Sequence, residues 1–162
     1  GAPANAGVIP RGLPEPRVKR TVEGDLGMRH NAATVMHAAG LETLAQDAGL
    51  TTERTTALIE RLTGDVERLP EEDEESRLDL ALVRAAVKIA VRRHCGTVET
   101  VYTVNGPATV QQGKDLTAIG TVIGTGGALV HGSNPRAVLE MALAADDEPL
   151  SLRPRRCGAG AG

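Results

Sequence analysis

Aromatic side chains are almost missing from this chain. Tyr102 stands alone, with no phenylalanine and no tryptophan among 162 residues. The core must therefore be built from leucine, valine, isoleucine and alanine. Platforms on which bases stack are excluded with the aromatics, and most single-stranded nucleic-acid modules with them. An excess of basic charge is lacking too. Eighteen Lys and Arg stand against 21 Asp and Glu, for a net charge of −3, so the footprint of a DNA- or RNA-binding surface is not there. Cysteine is scarce: Cys95 and Cys157 do not make a disulfide framework, and a reducing cytoplasm is the expected location. No apolar run reaches the roughly 18 residues of a membrane span, and "GAPANAGVIPRGLPEP" at the start carries no apolar signal segment. No nucleic-acid or membrane partner is therefore expected. The histidines His30, His37, His94 and His131 have no H-E-x-x-H or C-x-x-C companion, so no metal site is expected. His94 and Cys95 are adjacent, which on a helix separates them by about 100° and disfavours a Cys–His nucleophile pair. A G-x-S-x-G elbow is absent as well.

What remains is 41% apolar and 24% charged, the balance of a globular domain with a real core. The first residue is Gly, and residues 1–16 hold four prolines and three glycines. They read as a linker, and the chain as a piece of a longer protein. Residues 157–162, "CGAGAG", read as a flexible tail. Between them, "RVKRTVEG" (17–24) alternates and predicts a short strand. Asn31 is placed to cap a helix that Gly40 ends; a second helix runs from about Leu41 to Ala48, and a third from about Glu53 to Leu62, closed by Gly64. "LPEEDEES" (69–76) reads as a solvated acidic loop that also favours the positive end of the next helix. That helix carries an S-x-x-D cap, Ser76 and Asp79. Its apolar positions, Leu78, Leu82, Ala85, Ala86, Ile89 and Ala90, predict a buried element, ending at Gly96. The period then changes. "TVETVYTV" and "PATVQQG" flank Asn105-Gly106 as a hairpin, with Pro107 placing the second strand at an edge or at its own start. A further strand is expected at about Ala118–Ile123, then a glycine turn. Asn134 and Pro135 open a last helix through Leu139 and Leu143. The outline is α/β.

Two stretches bear on chemistry. In "TVIGTGGALVHG" (121–132) an apolar run meets Gly124-Thr125-Gly126-Gly127. Glycine lets a backbone approach a ligand closely, and N–H groups at a turn can hold an anion. Yet the Rossmann pattern fails at Leu129. The P-loop pattern fails in "QGKD", where Asp115 follows Lys114 and Ala108 stands in place of a glycine. On spacing alone a strand–helix corner stays open beside a nucleotide turn. The second stretch is "RTVEGDLGMR" (20–29). Glu23 and Asp25 around Gly24, followed by Gly27, suit Mg²⁺ held through water or a positioned nucleophilic water. They equally suit a turn in which Asp25 caps a helix.

Taken together, "LPEPRVKRTVEGDLGMR", "AVRRHCG", "VQQGKDL", "VIGTGGALVH" and "NPRAVLEMAL", in this order, closely resemble the MutL/GlmL family. These are accessory proteins associated with adenosylcobalamin-dependent glutamate mutase, unrelated to the mismatch-repair protein of the same name. The resemblance runs over about residues 13–156. It implies an actin-like ATPase, of which residues 17–156 would be a C-terminal portion: a partial ribonuclease-H-like lobe with a helical insertion. It implies ATP or ADP with Mg²⁺ as cofactor and an adenosylcobalamin-dependent mutase as partner, reactivated by the chaperone. Gly124, Thr125, Gly126 and Gly127 match the family's adenosine-side turn. Glu23, Gly24, Asp25 and Gly27 match a motif expected on the same cleft, with Glu23 and Asp25 as its catalytic candidates. The family's D-x-G-x-T loop, its second phosphate loop and its usual closing segment are not in this chain. Alone it is thus expected to be inactive, and an open sheet edge would favour a homodimer. A small-molecule kinase, a hydantoinase-like enzyme and a non-catalytic interaction domain remain alternatives.

Overall fold

Where the sequence repeats every three to four residues, the chain coils as expected; where it alternates, only part of it pairs. The structure, a computed structural model, describes residues 8–12, 16–145, 147–148 and 150–156. The expected tail at 157–162 lies outside the described residues. Among the described residues three strands and six helices follow one another: β1 (Val8–Arg11), α1 (Ala32–Ala39), α2 (Leu41–Ala48), α3 (Thr52–Gly64), α4 (Asp73–His94), β2 (Thr97–Thr103), β3 (Gly106–Gln112), α5 (Gly127–Val130) and α6 (Pro135–Glu140). The class is mixed α/β, with one small sheet. The chain divides into two compact units. One is made of residues 1–22, 91–122 and 142–162, the other of 23–90 and 123–141.

The second unit is helical. Leu44, Leu58, Leu78 and Leu82 are essentially fully buried, together with Val35, Ile59 and Leu62. They come from α1, α2, α3 and the first half of α4 and form one cluster. Each such side chain contributes about 1.5–3 kcal/mol by leaving water. Gly40 and Gly49 stop α1 and α2 where the sequence places the stops. Thr51 caps α3, its hydroxyl accepting from the Arg54 N–H at 3.2 Å. Asp47 of α2 pairs with Arg84 of α4 at 2.7 Å.

The start of α4 departs from expectation. The helix begins at Asp73, and Ser76 lies within its first turn, donating its N–H to the Glu72 carbonyl at 3.0 Å. Glu75 does the capping instead. Its carboxylate accepts from the Glu71 and Glu72 N–H groups at 2.9 and 3.3 Å, as the acidic partner of a capping box does. The acidic run is an exposed loop only as far as Glu72; residues 73–76 are already helix, and Glu75 is buried. Glu71, Glu72, Glu74 and Glu75 pair with Arg54, Arg61 and Arg68, because α3 presents two of those arginines and the turn after it the third. The apolar face of α4 is fully buried only at Leu78, Ala81, Leu82 and Val83; residues 84–91 are half-buried.

The first unit holds the sheet, in the order β1-β3-β2. β2 and β3 form the expected antiparallel hairpin, Thr103 facing Gly106 across the turn. β3 is central rather than at an edge, and Pro107 is tolerated because it sits at the strand start. β1 pairs in parallel with β3 only from Thr109 onward, past the proline. β1 itself falls in the stretch read as a linker: the β-branched pair Val8-Ile9 finds a long-range partner that composition could not reveal. Gly96 and Gly113 cross at close quarters. A Cβ on Gly96 would lie 2.2 Å from the Gln112 carbonyl oxygen, and one on Gly113 would lie 2.8 Å from the Gly96 Cα. Residues 150–152 close the unit. Leu150 and Leu152 accept from the Val98 and Leu116 N–H groups at 3.2 and 2.8 Å.

Two expected strands do not form. Residues 17–24 and 118–123 belong to no strand ladder. Alternation alone does not make a strand; a partner must take up its N–H and C=O groups. The last helix ends at Glu140, short of Leu143, though its cap is as expected: Asn134 Oδ1 accepts from the Ala137 N–H at 3.0 Å.

Candidate functional site

The stretch Glu23–Gly27 is a turn pinned from both sides. The Leu26 N–H donates to the Glu23 carbonyl at 3.2 Å, and Leu26 itself is buried in the helical core. Asn31, expected as a helix cap, reaches backward instead: its Nδ2 donates to the Gly24 carbonyl at 2.9 Å, and its side chain makes no cap bond to α1. Gly27 faces the same amide, which a Cβ there would meet at 3.3 Å. Gly24 has open space around it. Glu23 and Asp25 are half-buried on either side of it. Arg29, at the end of the same motif, pairs with Asp79 of α4. The sequence reading gave Asp79 a capping part, and nothing in the local spacing linked it to Arg29, 50 residues away.

The glycine turn separates into two parts. Gly124 is a packing glycine: a Cβ there would come within 2.5 Å of both Leu129 Cδ1 and Leu139 Cδ2. Gly126 and Gly127 are different. Nothing lies within 4 Å of a Cβ built on either, and Gly126 has φ +108°, a conformation that L side chains rarely adopt. Thr125, between Gly124 and Gly126, is exposed. The Gly126 carbonyl accepts from the Leu129 and Val130 N–H groups, both at 3.0 Å, starting the single turn of α5. The expected strand before the turn is an irregular segment, so the context is coil, glycine turn and short helix. Between Thr121 and Asn134 the one ionisable side chain is His131. This wall offers backbone and space but no cation for a phosphate group.

Both stretches belong to the helical unit. Each is braced by its own neighbours, Leu26 and Asn31 for the first, Leu129 and Leu139 for the second. An ATP molecule needs a close-approach backbone on its adenosine side and charge around its phosphates. Gly126 and Gly127 fit the first need. Gly124 is spoken for by packing.

Elsewhere the ionisable groups serve structure. The N–H of Glu71, then the Arg68 guanidinium and the N–H of Glu72, hold the Glu75 carboxyl far down, at about 2. Arg153 is 1% exposed and pairs with Glu148, while Ser151 Oγ accepts from its Nε at 3.3 Å. Burial pushes the Cys95 thiol above its ordinary value, against the nearby Arg153 charge. Such a thiol is a poor nucleophile. Among the described residues no group of three or more His, Cys, Asp or Glu is placed to hold a metal ion. No helix among them is long and apolar enough to cross a membrane.

Comparison with known proteins now adds what geometry cannot. The chain is 41% identical over 140 residues to "Protein MutL" of Clostridium tetanomorphum, a match covering 86% of this chain and 30% of that protein. The chain thus spans under a third of the length of the curated relative it matches. No solved structure matches it. The family described as MutL protein matches residues 1–159. By the family match over nearly its whole length the chain belongs to the MutL family, which is not the mismatch-repair one.

Proposed function

We propose that the full-length protein is an ATP-dependent accessory chaperone that reactivates an adenosylcobalamin-dependent mutase of the glutamate mutase type. This chain supplies the adenosine-side wall of its nucleotide cleft, within a ribonuclease-H-like lobe of an actin-like ATPase working in the cytoplasm. Family membership supports the reading, and one structural observation carries it: the open, side-chain-free backbone at Gly126–Gly127, with Gly126 at φ +108°. Such a surface admits a flat ligand edge that any side chain would exclude. Gly124 and Thr125 shape the turn.

In this reading Glu23 and Asp25 face the phosphate side, with Gly24 giving room between them and Gly27 letting Asn31 lock the turn. The carboxylates would orient Mg²⁺ through its water shell, or the attacking water. Phosphoryl chemistry depends on preorganised positive charge around the β- and γ-phosphates. Thr121–Asn134 carries no Lys or Arg. The 162-residue chain by itself is therefore expected neither to hydrolyse ATP nor to bind it at micromolar concentration, which calorimetry can measure.

The decisive test is phosphate release from ATP by the full-length protein, with and without mutase carrying damaged cobalamin. Release stimulated by the mutase, with recovery of mutase activity, is the expected result. Phosphorylation of a small metabolite instead would overturn it and favour a kinase of the same superfamily.

A further inference from the structure

Two runs that read as strands are left without strand partners. Residues 17–24 and 118–123 lie in no ladder among the described residues. Their apolar side chains point into water: Val18 is 87% exposed, Val22 77%, Ile119 46% and Ile123 82%. These make four of the ten large exposed apolar side chains of the described residues. Residues 16–22 and 118–121 are exposed throughout. Val18 and Val22 share one face of an extended chain, and so do Ile119, Thr121 and Ile123. β-branched residues alternating in this way are strand residues that have not been covered.

The first run is nonetheless held in place. The Lys114 ammonium donates to the carbonyls of Pro16 and Arg17 at 3.3 and 2.8 Å, and Thr21 Oγ1 and His94 Nδ1 share a hydrogen bond of 3.1 Å. The second run starts from a turn, with the Ile119 N–H on the Leu116 carbonyl at 3.0 Å, and Asp115 fixes Thr117 just before it. Neither run pairs in a ladder: the first is held at Pro16 and Arg17 and again at Thr21 before it enters the turn at Glu23, and the second is held at its start.

We propose that residues 17–22 and 118–123 become strands in the full-length protein, each paired with a strand from the part of that protein outside these 162 residues. The match covers only 30% of the curated relative, so most of such a protein is available to supply the partners. A tethered segment competes at an effective concentration in the millimolar range, which a second copy in solution does not reach. The pairing rests on family membership and on the exposed runs, not on nucleotide binding. It has a consequence for the glycine turn. With residues 118–123 in a ladder, Gly124 stands at a strand end, and the coil–turn–helix becomes a strand–turn–helix held from both sides.

The test is amide hydrogen exchange on the full-length protein without nucleotide, with a photo-crosslinking residue at Val18 or Ile123 in a second preparation. The amides of 18–22 and 119–123 are expected to exchange at least 100-fold more slowly than those of the exposed hairpin turn, Val104–Asn105. Crosslinks are expected to reach residues of the same chain beyond these 162. Exchange as fast as the hairpin turn overturns the proposal. So does protection that grows with protein concentration, or crosslinks confined to a second copy or to these 162 residues. Because no nucleotide is present, these outcomes are independent of whether the protein is an ATPase.

Discussion

The helical unit is closed by side chains, and the sheet unit by backbone. In the first, leucines from α2, α3 and α4 fill one cluster with α1, and α1 and α2 end where their own sequence says. In the second, β3 is flanked by a hairpin neighbour and by a distant parallel strand, and Gly96 passes Gly113 with no room for a methyl group. Local pattern specifies a helix because its hydrogen bonds are internal. A strand's bonds are made elsewhere, so its pattern is a request that another segment must answer.

Perturbing the two units should expose this difference. Gly96→Ala places a Cβ 2.2 Å from a carbonyl oxygen of the backbone, which cannot move aside as a side-chain tip would. A loss of at least about 4 kcal/mol in denaturant unfolding is expected, or failure to fold. Leu82→Ala, at a fully buried site in the helical cluster, is expected to cost about 3 kcal/mol, because the cavity partly collapses.

Acid should act on the helical unit through Glu75. Its carboxyl sits at about 2, lowered from 4.5, first by the Glu71 N–H and then by Arg68. Because the folded value is depressed, the stabilisation is complete above pH 4.5 and is lost as the pH falls toward 2. Glu75→Gln should lower the melting temperature at pH 7 and flatten its decline between pH 4.5 and 2, followed by circular dichroism. An unchanged slope would mean that the capping contact contributes nothing.

Sequence legibility followed the same division. Gly40 and Gly49 closed α1 and α2 at the expected residues, and Asn105-Gly106 marked the hairpin. β1 was hidden in a proline- and glycine-rich stretch, because its partner lies about a hundred positions away in β3. Ser76 looked like a cap, but the side chain with a reachable orphan N–H was Glu75. In the candidate site, the resemblance singled out four consecutive residues of one turn. Only the three-dimensional packing separates Gly124, pressed against Leu129 and Leu139, from Gly126 and Gly127, which face open space. The pairing of Arg29 with Asp79 had no local signal at all.

The central claim is that Gly126 is part of a nucleotide wall. Binding of ATP to the full-length protein, measured by calorimetry for the wild type and for Gly126→Val, tests it most directly. The account expects at least a tenfold loss of affinity, with the melting temperature of the unliganded variant lowered only by what the strained backbone costs. Equal affinity in the two proteins would contradict it and leave the turn as a corner of the fold.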